Sequence, residues 1–553
     1  MALEKTLPAV SDDRLFPTLT PAQIARLGGH GRRRAMIKGD VLVETGGRTL
    51  PFFVVLRGEI HILVPGTPGF AIALHPGQFA GEVATITGRR AMGTLIAVEA
   101  GEVIELDREQ LLALIQTDTE LSGILMRTFL LRRAELIARG LGDVVIIGSP
   151  HCAGTLRVKE FLTRNSHPFA SLDLDRDADA QELLDRFHVS AADVPVLICR
   201  GETVLRNPTN QHIADALGFN DAVEPTQVRD LVIVGAGPAG LAAAVYGASE
   251  GLDVLVLEST APGGQAGSSS RIENYLGFPT GIAGHDLAGR ALAQAQKFGA
   301  QILIARNAVR IACEGQPYAV HIDDGVTVPA RAVIVATGAQ YRRPAIDNLS
   351  RFEGAGVYYA AMAMEAQLCA DEEVIVVGGG NSAGQAAVFL AETARRVHML
   401  VRADGLAGTM SRYLVRRIED NPAIELHTRT EIVGFEGHDH LETVKWRETR
   451  SDTVQTCAIR HVFMMTGAVP NTAWLNGCIS LDAKGFVKTG PDLTPEDLVT
   501  AGWPLPRAPY LLETSRPGLF AVGDVRGGNI KRVASAVGEG SIAVAFVHQV
   551  LRQ

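Results

Sequence analysis

Two glycine-rich turns in the second half of the chain constrain its fold more than any other feature. Each turn follows a short apolar strand pattern and opens an alanine-containing helix pattern. The first reads "GAGPAG" at 235–240 after "LVIV", and the second reads "GGGNSA" at 378–383 after "VIVV". A strand, a glycine turn and a helix in this order are typical of a doubly wound fold that binds a dinucleotide at the helix N-terminus.

The first turn has the features of a complete dinucleotide site. Gly235 allows the tight turn, Gly237 lets the backbone approach a pyrophosphate, and Gly240 permits close packing of the helix. Glu258 ends the next strand, at the distance along the chain where a carboxylate holds ribose hydroxyls. Because the strand, turn, helix, second strand and acid follow one another at the expected spacing, we expect a bound dinucleotide here.

The second turn differs from the first at the end of its following strand. Gly378, Gly380 and Ala383 fill the three small-residue positions, but Arg402 stands where the first site has an acid. A carboxylate would repel a 2′-phosphate, whereas a guanidinium can pair with it, so we expect NADPH rather than NADH. The alternative is that Arg402 is a solvated surface residue.

The whole chain divides into blocks with different patterns. Its 553 residues exceed what one core can hold, and the many glycines suit α/β architecture with ligand-binding turns. We expect a multidomain protein: an N-terminal β jelly-roll plus helices, a thioredoxin-like α/β domain, and two doubly wound, Rossmann-like domains. The predicted segments are 1–140, 141–220, a linker at 221–227, and then 228–347, 348–466 and 467–553.

Charge and cysteine content narrow the class of function. A net charge of −9 argues against nucleic acid and anionic membrane surfaces as partners. The six cysteines are scattered and none is spaced as C-x-x-C, which predicts neither a local zinc site nor an ordinary dithiol motif; we therefore expect no metal. Scattered thiols and a mixed, acidic N-terminus favour the cytoplasm.

Seven motifs occurring in order make residues 228–553 resemble the low-molecular-weight thioredoxin reductase family. They are "GAGPAG", "PGGQ" (262–265), "IENYLGFP" (272–279), "VATGA" (335–339), "VVGGGNSA" (376–383), "TGAVPNT" (466–472) and "GLFAVGDV" (518–525). The resemblance implies a split FAD domain, at 228–347 and 467–553, with an NADPH domain inserted, and a homodimer. It also implies hydride transfer from NADPH to FAD.

Site residues follow from the motifs and from this resemblance. Asp524 would bind the ribityl chain, Gln265 and Asn274 would lie along FAD, and the helix after "KR" at 531–532 would point at the flavin pyrimidine edge. The expected FAD contacts are Gly235, Gly237, Pro238, Ala239, Gly240, Glu258, Gly264, Gln265, Asn274, Thr337, Gly338, Gly523, Asp524, Arg532, Val533 and Ala534. The expected NADPH contacts are Gly378, Gly380, Asn381, Ser382, Ala383 and Arg402.

The sequence departs from this family just ahead of the second turn. Family members carry a C-x-x-C pair there, followed by an Asp, which takes electrons from flavin. The matching positions 360–364 read "AAMAM". Alanine cannot form a mixed disulfide and a thioether has no ionisable thiol, so this dithiol relay is chemically impossible. Cys369 stands alone and is expected to be a buried small hydrophobe. Dioxygen, a quinone or another electron carrier, small or protein, is the expected acceptor.

The middle block resembles a glutaredoxin or thioredoxin, with one active-site cysteine missing. "DVVIIGSPHC" has Ser149 at the first cysteine position and Cys152 at the second. Pro195 in "DVPVLI" matches the family's cis-proline. Cys152, beside His151 and at a helix N-terminus, is the candidate catalytic residue. The alternative is a docking module without redox activity.

The N-terminal block resembles a cyclic-nucleotide-binding domain of the catabolite-activator type. The resemblance implies that Gly81 and Glu82 contact ribose and that Arg89 or Arg90 clamps the cyclic phosphate. Met92 and Gly93 replace the small hydroxyl residues usual after that arginine. A retained fold without its ligand is therefore the alternative to nucleotide binding.

The sequence is compatible with three alternative functions. The first is an NADPH-dependent FAD oxidoreductase with a non-dithiol acceptor. The second is disulfide reduction through Cys152 as a single-thiol relay. The third is a non-catalytic protein whose FAD and N-terminal domain report redox or nucleotide state to a partner.

Overall fold

The architecture comes from a computed structural model of the chain. The structure describes residues 15–47, 51–63, 71–87, 90–138, 144–149, 152–174, 193–200, 203–269, 271–359, 361, 363–438, 440–475 and 477–553. It divides into two compact units. The first contains residues 1–148, 161–223 and 293–305, and the second contains 149–160, 224–292 and 306–553.

The N-terminal block contains two four-stranded antiparallel sheets, ordered β1-β8-β3-β6 and β2-β7-β4-β5. Phe53 and Val55 from the first sheet and Ile60 and Leu74 from the second share one apolar core. The strands are Arg32–Met36 (β1), Val41–Val43 (β2), Phe52–Arg57 (β3), Ile60–Leu63 (β4), Ala71–Leu74 (β5), Phe79–Ala80 (β6), Thr94–Ala97 (β7) and Gly101–Leu106 (β8). The helices are Pro21–Gly28 (α1), Glu82–Thr87 (α2), Arg108–Thr117 (α3) and Thr119–Ala138 (α4).

The middle block contains one four-stranded sheet of order β10-β9-β11-β12. The first two of these strands are parallel, and each of the others is antiparallel to its neighbour. The elements are Val144–Gly148 (β9), Ala153–Arg164 (α5), Ala170–Asp173 (β10), Val196–Cys199 (β11), Thr203–Arg206 (β12) and Asn210–Leu217 (α6). Residues 175–192, between β10 and β11, lie outside the described residues.

The FAD-domain segment is built on a mostly parallel sheet. β14, β13, β18 and the later strand Leu519–Ala521 (β29) are parallel neighbours, and β17 and β16 continue the sheet antiparallel. The strands are Arg229–Val234 (β13), Val254–Glu258 (β14), Gln301–Ile304 (β15), Ala308–Ala312 (β16), Tyr318–Ile322 (β17), Thr327–Val335 (β18) and Ala339–Tyr341 (β19). The helices are Pro238–Ser249 (α7), Gly264–Gly267 (α8) and Gly284–Lys297 (α9).

The inserted segment has its own parallel sheet, of order β20-β27-β21-β22-β23, and a three-stranded antiparallel sheet, β24-β25-β26. The strands are Val357–Tyr358 (β20), Glu373–Val377 (β21), Arg396–Leu400 (β22), Ile424–His427 (β23), Thr430–Gly437 (β24), Leu441–Glu448 (β25), Thr453–Cys457 (β26) and His461–Met464 (β27). The helices are Leu349–Phe352 (α10), Ala363–Leu368 (α11), Asn381–Leu390 (α12) and Arg412–Glu419 (α13). Two separate doubly wound sheets are therefore present, as the glycine turns predict.

The last segment returns to the first of these sheets. β28 (Ala468–Pro470) pairs with β19, and β29 (Leu519–Ala521) pairs with β18. Two helices complete it, α14 (Pro495–Ala501) and α15 (Val533–Leu551). By length and composition α15 could cross a membrane, and 28% of its apolar stretch is buried within the protein. It packs on α7, because a Cβ at Gly540 would lie only 2.1 Å from the Ala239 carbonyl oxygen.

Candidate functional site

The first glycine turn lies at the carboxyl end of β13 and is packed too tightly for side chains. Gly235 has a φ of +105°, and a Cβ there would lie 2.4 Å from the Ala336 carbonyl oxygen. A Cβ at Gly240 would lie 1.8 Å from the Gly235 carbonyl oxygen. The predicted needs for a tight turn and for close helix packing are therefore confirmed. Gly237, by contrast, is less crowded, because the nearest atom to its Cβ position is Gly264 Cα at 4.0 Å.

The first turn of α7 leaves backbone donors available. Gly237 is the N-cap and, among the described residues, supplies no side-chain cap. The leading N–H groups of a helix have no partner within it, and they favour an anion. Pro238 and Ala239 occupy the first helical positions, where the missing proline N–H costs nothing. This turn fits a pyrophosphate.

Glu258 ends β14 beside that turn and is 7% exposed. One carboxylate oxygen accepts from the Ala236 N–H at 2.8 Å. The other accepts from the N–H groups of Thr260 at 2.9 Å and Ala261 at 3.1 Å. A carboxylate offers about four acceptor positions, so it retains capacity for a ribose hydroxyl. The structure thus fixes Glu258 at the edge where a dinucleotide ribose would lie.

Two other strand ends complete this edge and join the halves of the split domain. Thr337 follows β18 and its hydroxyl donates to the Asn471 carbonyl at 2.8 Å. The Asn471 N–H donates in turn to the carbonyl of Gly338, at 3.2 Å. Because β13, β14, β18 and β29 are parallel, their carboxyl ends meet at one edge, where ligands bind in such sheets.

Glu539 organises the loop after β29, and sequence reasoning missed it. One of its oxygens accepts from the Gly523 N–H at 2.7 Å. The other accepts from Arg526 Nη2 at 2.7 Å and Asn529 Nδ2 at 2.8 Å. A carboxylate between two glycines in an otherwise apolar helix pattern is the signal that would have indicated it.

Asp524 lies in the same loop and is partly buried. Burial raises the pKa of its carboxyl group, the nearby Lys531 lowers it, and the nearby Glu539 raises it. A carboxylate that is poorly solvated by water gains from a hydroxyl donor, because a charge-assisted hydrogen bond replaces lost hydration. Asp524 therefore fits the polyol chain of FAD.

Some of the remaining predicted FAD contacts lie where the prediction requires, and one does not. The Gln265 amide donates to the carbonyl of Ala339. Asn274 is exposed in the bend after Ile272. Arg532 is the N-cap of α15 and, among the described residues, makes no side-chain cap, so the N–H groups of Val533 and Ala534 open that helix. Gln265 and the helix start fit the predicted edge, whereas within the described part of the chain no contact supports the role predicted for Asn274.

The second glycine turn repeats the first with different supports. Gly378 has a φ of +140°, and a Cβ there would lie 2.4 Å from the Met465 carbonyl oxygen and 3.2 Å from Ala383 Cβ. Gly380 is the N-cap of α12. The segment before α13 holds the turn: Thr409 Oγ1 donates to the Gly379 carbonyl at 2.6 Å. The Ser411 N–H donates to Asn381 Oδ1 at 2.8 Å. Sequence reasoning missed this brace.

Arg402 and Ser382 are exposed near this turn. Arg402 follows β22, and among the described residues it enters no ion pair. An arginine without a carboxylate partner at this strand end suits a 2′-phosphate. A merely solvated arginine would have the same exposure, and the Arg402→Ala variant distinguishes the two roles.

The segment before β21 contains no thiol that can replace the missing pair. Ala361 is 7% exposed and shares an apolar core with the fully buried Cys369. Burial raises the pKa of the Cys369 thiol, and the nearby Glu372 and Glu365 raise it further. Cys369 is therefore the buried small hydrophobe that was predicted. Ala360 and Met362, and the side chains of Ala363 and Met364, lie outside the described residues.

Two other cysteines form a disulfide that the sequence did not predict. Cys313 and Cys478, 165 positions apart, are bonded with Cα atoms 6.0 Å apart. The expectation of six separate thiols is wrong for this pair, because sequence spacing does not show which loops meet in the folded chain. Cys152, Cys369 and Cys457 are free thiols.

Cys152 begins α5 in the predicted way. Its N–H donates to the Ser149 carbonyl at 3.1 Å, and its carbonyl accepts from the Leu156 N–H at 3.0 Å. The side chain is half-buried. Ala153 lies against Gly354, with its Cβ 3.2 Å from the Cβ position of that glycine. The cis peptide predicted at Pro195 is confirmed, and His151 lies outside the described residues.

The predicted nucleotide residues of the N-terminal block have structural partners. Gly81 has a φ of +99°, as a sharp turn requires. Glu82 is 1% exposed, and its two oxygens lie 2.8 and 2.9 Å from Arg132 Nη1. Arg132 also donates to the Leu15 and Phe79 carbonyls. A ribose contact by Glu82 would therefore compete with a buried ion pair.

The arginines of this block are placed differently from each other. Arg90 is half-buried, with its Cγ 2.7 Å and its Nε 2.5 Å from the Cβ position of Gly218. Arg89 lies outside the described residues. The structure therefore places Arg90 against the end of α6 and gives no position for its neighbour.

The fold and the two turns define a flavoprotein class with two dinucleotide sites. Residues 229–540 match the family model "Pyridine nucleotide-disulphide oxidoreductase", and 33–118 match "Cyclic nucleotide-binding domain". The chain belongs to the pyridine nucleotide-disulphide oxidoreductase family, with an N-terminal cyclic nucleotide-binding domain, and is an NAD(P)H-dependent flavin oxidoreductase.

Relatives and solved structures agree with this assignment. The chain is 32% identical to a thioredoxin reductase of Ureaplasma parvum over 58% of this chain and 97% of the relative. It is 31% identical to that of Streptomyces clavuligerus over 58% and 92%. The structure of Lactococcus lactis thioredoxin reductase matches with a TM-score of 0.52 and 26% identity, covering 59% of this chain and all of that one. Thioredoxin reductase family enzymes use FAD and NADPH, and the two glycine turns fit these cofactors.

Proposed function

We propose that this protein oxidises NADPH through FAD and delivers the electrons to an acceptor other than a dithiol of its own inserted domain. The observation that carries this proposal is the replacement of the relay positions 360–363 by "AAMA". Cys369 cannot take over, because it is fully buried and its pKa is raised. Dioxygen, a quinone and a separate electron carrier are the acceptor classes that need no such dithiol.

The roles of the chain's own residues are binding and orientation. FAD, when bound, supplies the two-electron chemistry. Glu258 and the start of α7 hold the ribose and pyrophosphate, and Asp524 holds the polyol. Arg402 gives preference for a 2′-phosphate. Arg532, Val533 and Ala534 present a helix N-terminus that favours negative charge beside the ring system.

Electron counting tests this proposal. The FAD-loaded protein is titrated anaerobically with dithionite. A flavin alone takes up two electrons, whereas a flavin with a redox-active disulfide takes up four, two of which reduce the disulfide to a dithiol. We expect uptake of about two, because no relay pair adjoins the second turn. The Cys313→Ser/Cys478→Ser double variant controls for the disulfide: uptake of four electrons that persists in this variant contradicts the proposal.

The acceptor is then identified with NADPH as the reductant. Stopped-flow mixing with NADPH against NADH measures bleaching of the yellow flavin absorbance. Reoxidation is followed with dioxygen, with a short-chain quinone and with a ferredoxin-like or flavodoxin-like carrier. A flavin that neither NADPH nor NADH bleaches would leave only the third function, a non-catalytic reporter of redox or nucleotide state.

Disulfide reduction through Cys152 is the second candidate. We propose that residues 141–220 form a thioredoxin-like domain, supported by the sheet order, the strand directions and cis-Pro195. The contact between Ala153 and Gly354 favours access, since it brings the cysteine-bearing loop to the start of the inserted segment. The Cys152→Ser variant tests it: unchanged turnover of protein disulfides would eliminate this candidate. Cys457→Ser is a matched control, because Cys457 is also free and half-buried.

The N-terminal block is proposed to bind a cyclic nucleotide within a jelly-roll formed by its two sheets. Gly81 and Glu82 remain the proposed ribose contacts, and Arg89 or Arg90 the phosphate contact. Equilibrium binding of a fluorescent cyclic nucleotide tests this. Arg89→Ala and Arg90→Ala should each be compared with Arg57→Ala, which alters an exposed arginine in the same block. Absence of binding in the unaltered protein indicates a fold that has lost its ligand.

Assembly and location are also proposals. We propose a cytoplasmic homodimer formed through the FAD domains. Support for the dimer comes from exposed apolar residues on neighbouring helices, namely Tyr246 on α7 and Ile542 on α15. Sedimentation of the FAD-loaded protein tests the dimer, and Ile542→Glu should weaken it.

A further inference from the structure

Two histidines and a glutamate converge on neighbouring strands of the inserted segment, apart from both glycine turns. β22 and β23 run parallel, and their register pairs His398 with Glu425 and Leu400 with His427. Nδ1 of His398 lies 3.1 Å from Nε2 of His427. That Nε2 lies 3.4 Å from Glu425 Oε1. The potential ligand atoms of all three residues lie within 4.8 Å of one another.

These separations are within a few tenths of an ångström of those around a single cation. Ligand atoms about 2.0–2.2 Å from a tetrahedral Zn²⁺ lie about 3.3–3.6 Å from one another. The third separation, from His398 Nδ1 to Glu425 Oε2, is 3.9 Å. The Glu425 side chain is 46% exposed, so it can adjust by this small amount and leave a fourth position for water.

A second carboxylate supports the site from behind. Glu373 Oε2 lies 3.3 Å from Nε2 of His398, the ring nitrogen that points away from the cluster. A hydrogen bond there places the proton on Nε2 and leaves the lone pair of Nδ1 directed at His427. Metal-binding histidines usually have this carboxylate partner on the other nitrogen.

The rings are also held by packing. The indole of Trp446, from β25, lies 5.5 Å from the centre of each imidazole ring and is 4% exposed. It covers one side of the cluster and fixes both ring planes. The side chain of His398 is 10% exposed and that of His427 is 21% exposed, so the site has one partly open side.

We propose that His398, His427 and Glu425 bind a divalent transition metal of the Zn²⁺ class, with Glu373 as a positioning residue. Two imidazoles and a carboxylate are donors that such ions accept. The site borders the predicted 2′-phosphate position, because the N–H of Val401, next to Arg402, donates to the His427 carbonyl at 2.9 Å. A bound ion would tie β22 to β23 at that point.

Metal binding is measured on untagged, chelator-treated, FAD-loaded protein. Zn²⁺ is titrated in competition with a chromophoric chelator. We expect about one equivalent per chain, with affinity reduced more than about 100-fold in His427→Gln and Glu425→Gln, since each removes a ligand. Glu373→Gln should weaken binding about tenfold, as loss of an outer-shell partner does.

Matched controls separate this site from adventitious binding. His321→Gln alters a histidine of another sheet. Cys457→Ser removes a thiol near Glu373. Burial is the main cause that raises the pKa of this thiol, and the charge of Glu373 raises it further. Neither should change the affinity. Co²⁺ should also quench Trp446 fluorescence, and Trp446→Phe should remove that quenching. Absence of stoichiometric Zn²⁺ binding, or equal affinity in the ligand variants and the controls, overturns the proposal.

Discussion

The two glycine turns are alike in backbone and differ in how their surroundings are filled. In the first, Glu258 is buried and accepts three backbone N–H groups, so the acid is part of the turn itself. In the second, Arg402 is exposed and the turn is held instead by Thr409 and Ser411. The backbone of the first turn is hydrogen-bonded to the residue predicted to set its specificity, whereas the second turn is held without the residue predicted for that role. Specificity should therefore be easier to change at the second site.

The largest expected effect is loss of FAD from the first turn. Gly240→Val places a Cβ 1.8 Å from the Gly235 carbonyl oxygen, which forces the turn open. We expect FAD affinity to fall more than about 100-fold, as for a severe steric change. Flavin content after gel filtration measures this. Gly289→Ala is the control, because nothing lies within 4 Å of its Cβ position.

Gly378→Val is the counterpart in the second turn and completes the comparison. It should abolish flavin reduction by NADPH while FAD remains bound, because its Cβ would meet the Met465 carbonyl at 2.4 Å. If it released FAD instead, the two turns would not be independent sites.

A smaller effect is expected from the exposed arginine. Arg402→Ala should raise KM for NADPH about tenfold and leave KM for NADH unchanged, because a phosphate–guanidinium pair is worth about 1.4 kcal/mol at such a site. Arg450→Ala, in the turn after β25, is the exposed control. Equal changes for both nucleotides would show that Arg402 is only a solvated surface residue.

The pH dependence of stability tests the environment of Asp524. Burial raises its pKa, so the folded apoprotein binds this proton more tightly than the unfolded chain does. Stability therefore falls as pH rises from the unfolded value through the raised folded value, and it stays reduced at neutral pH. Asp524→Asn should remove this fall, stabilise the apoprotein at neutral pH and weaken FAD binding. Urea unfolding between pH 3 and pH 8 measures the first two effects.

The smallest effect is expected from the buried thiol before the second turn. Cys369→Ala should leave NADPH oxidation within about twofold of the unaltered protein and reduce stability by about 1 kcal/mol, through a small cavity. Steady-state turnover and thermal unfolding check this. A large loss of turnover with normal stability would assign Cys369 a redox role that its burial argues against.

The local sequence pattern was sufficient to predict a structural feature when a single segment of the chain forms the whole of it. The strand, turn and helix around Gly235 and Gly378 lie within single stretches of chain, so spacing alone indicates them. The change at 360–363 is also local, since a missing thiol is visible in the letters. The roles of Glu539 and Thr409 were not predicted, because each residue forms its hydrogen bond with a turn that is far from it in sequence.

The sequence alone determined that two dinucleotide turns are present, that the first carries an acid and the second an arginine, and that the dithiol is missing. These are properties of residue identity and of short-range backbone geometry. Only the tertiary structure decided that Glu82 is paired with Arg132, that Cys313 meets Cys478, and that His398 lies beside His427. Those outcomes depend on which helices, strands and loops become neighbours, and this is fixed by packing of the whole fold and not by any single segment.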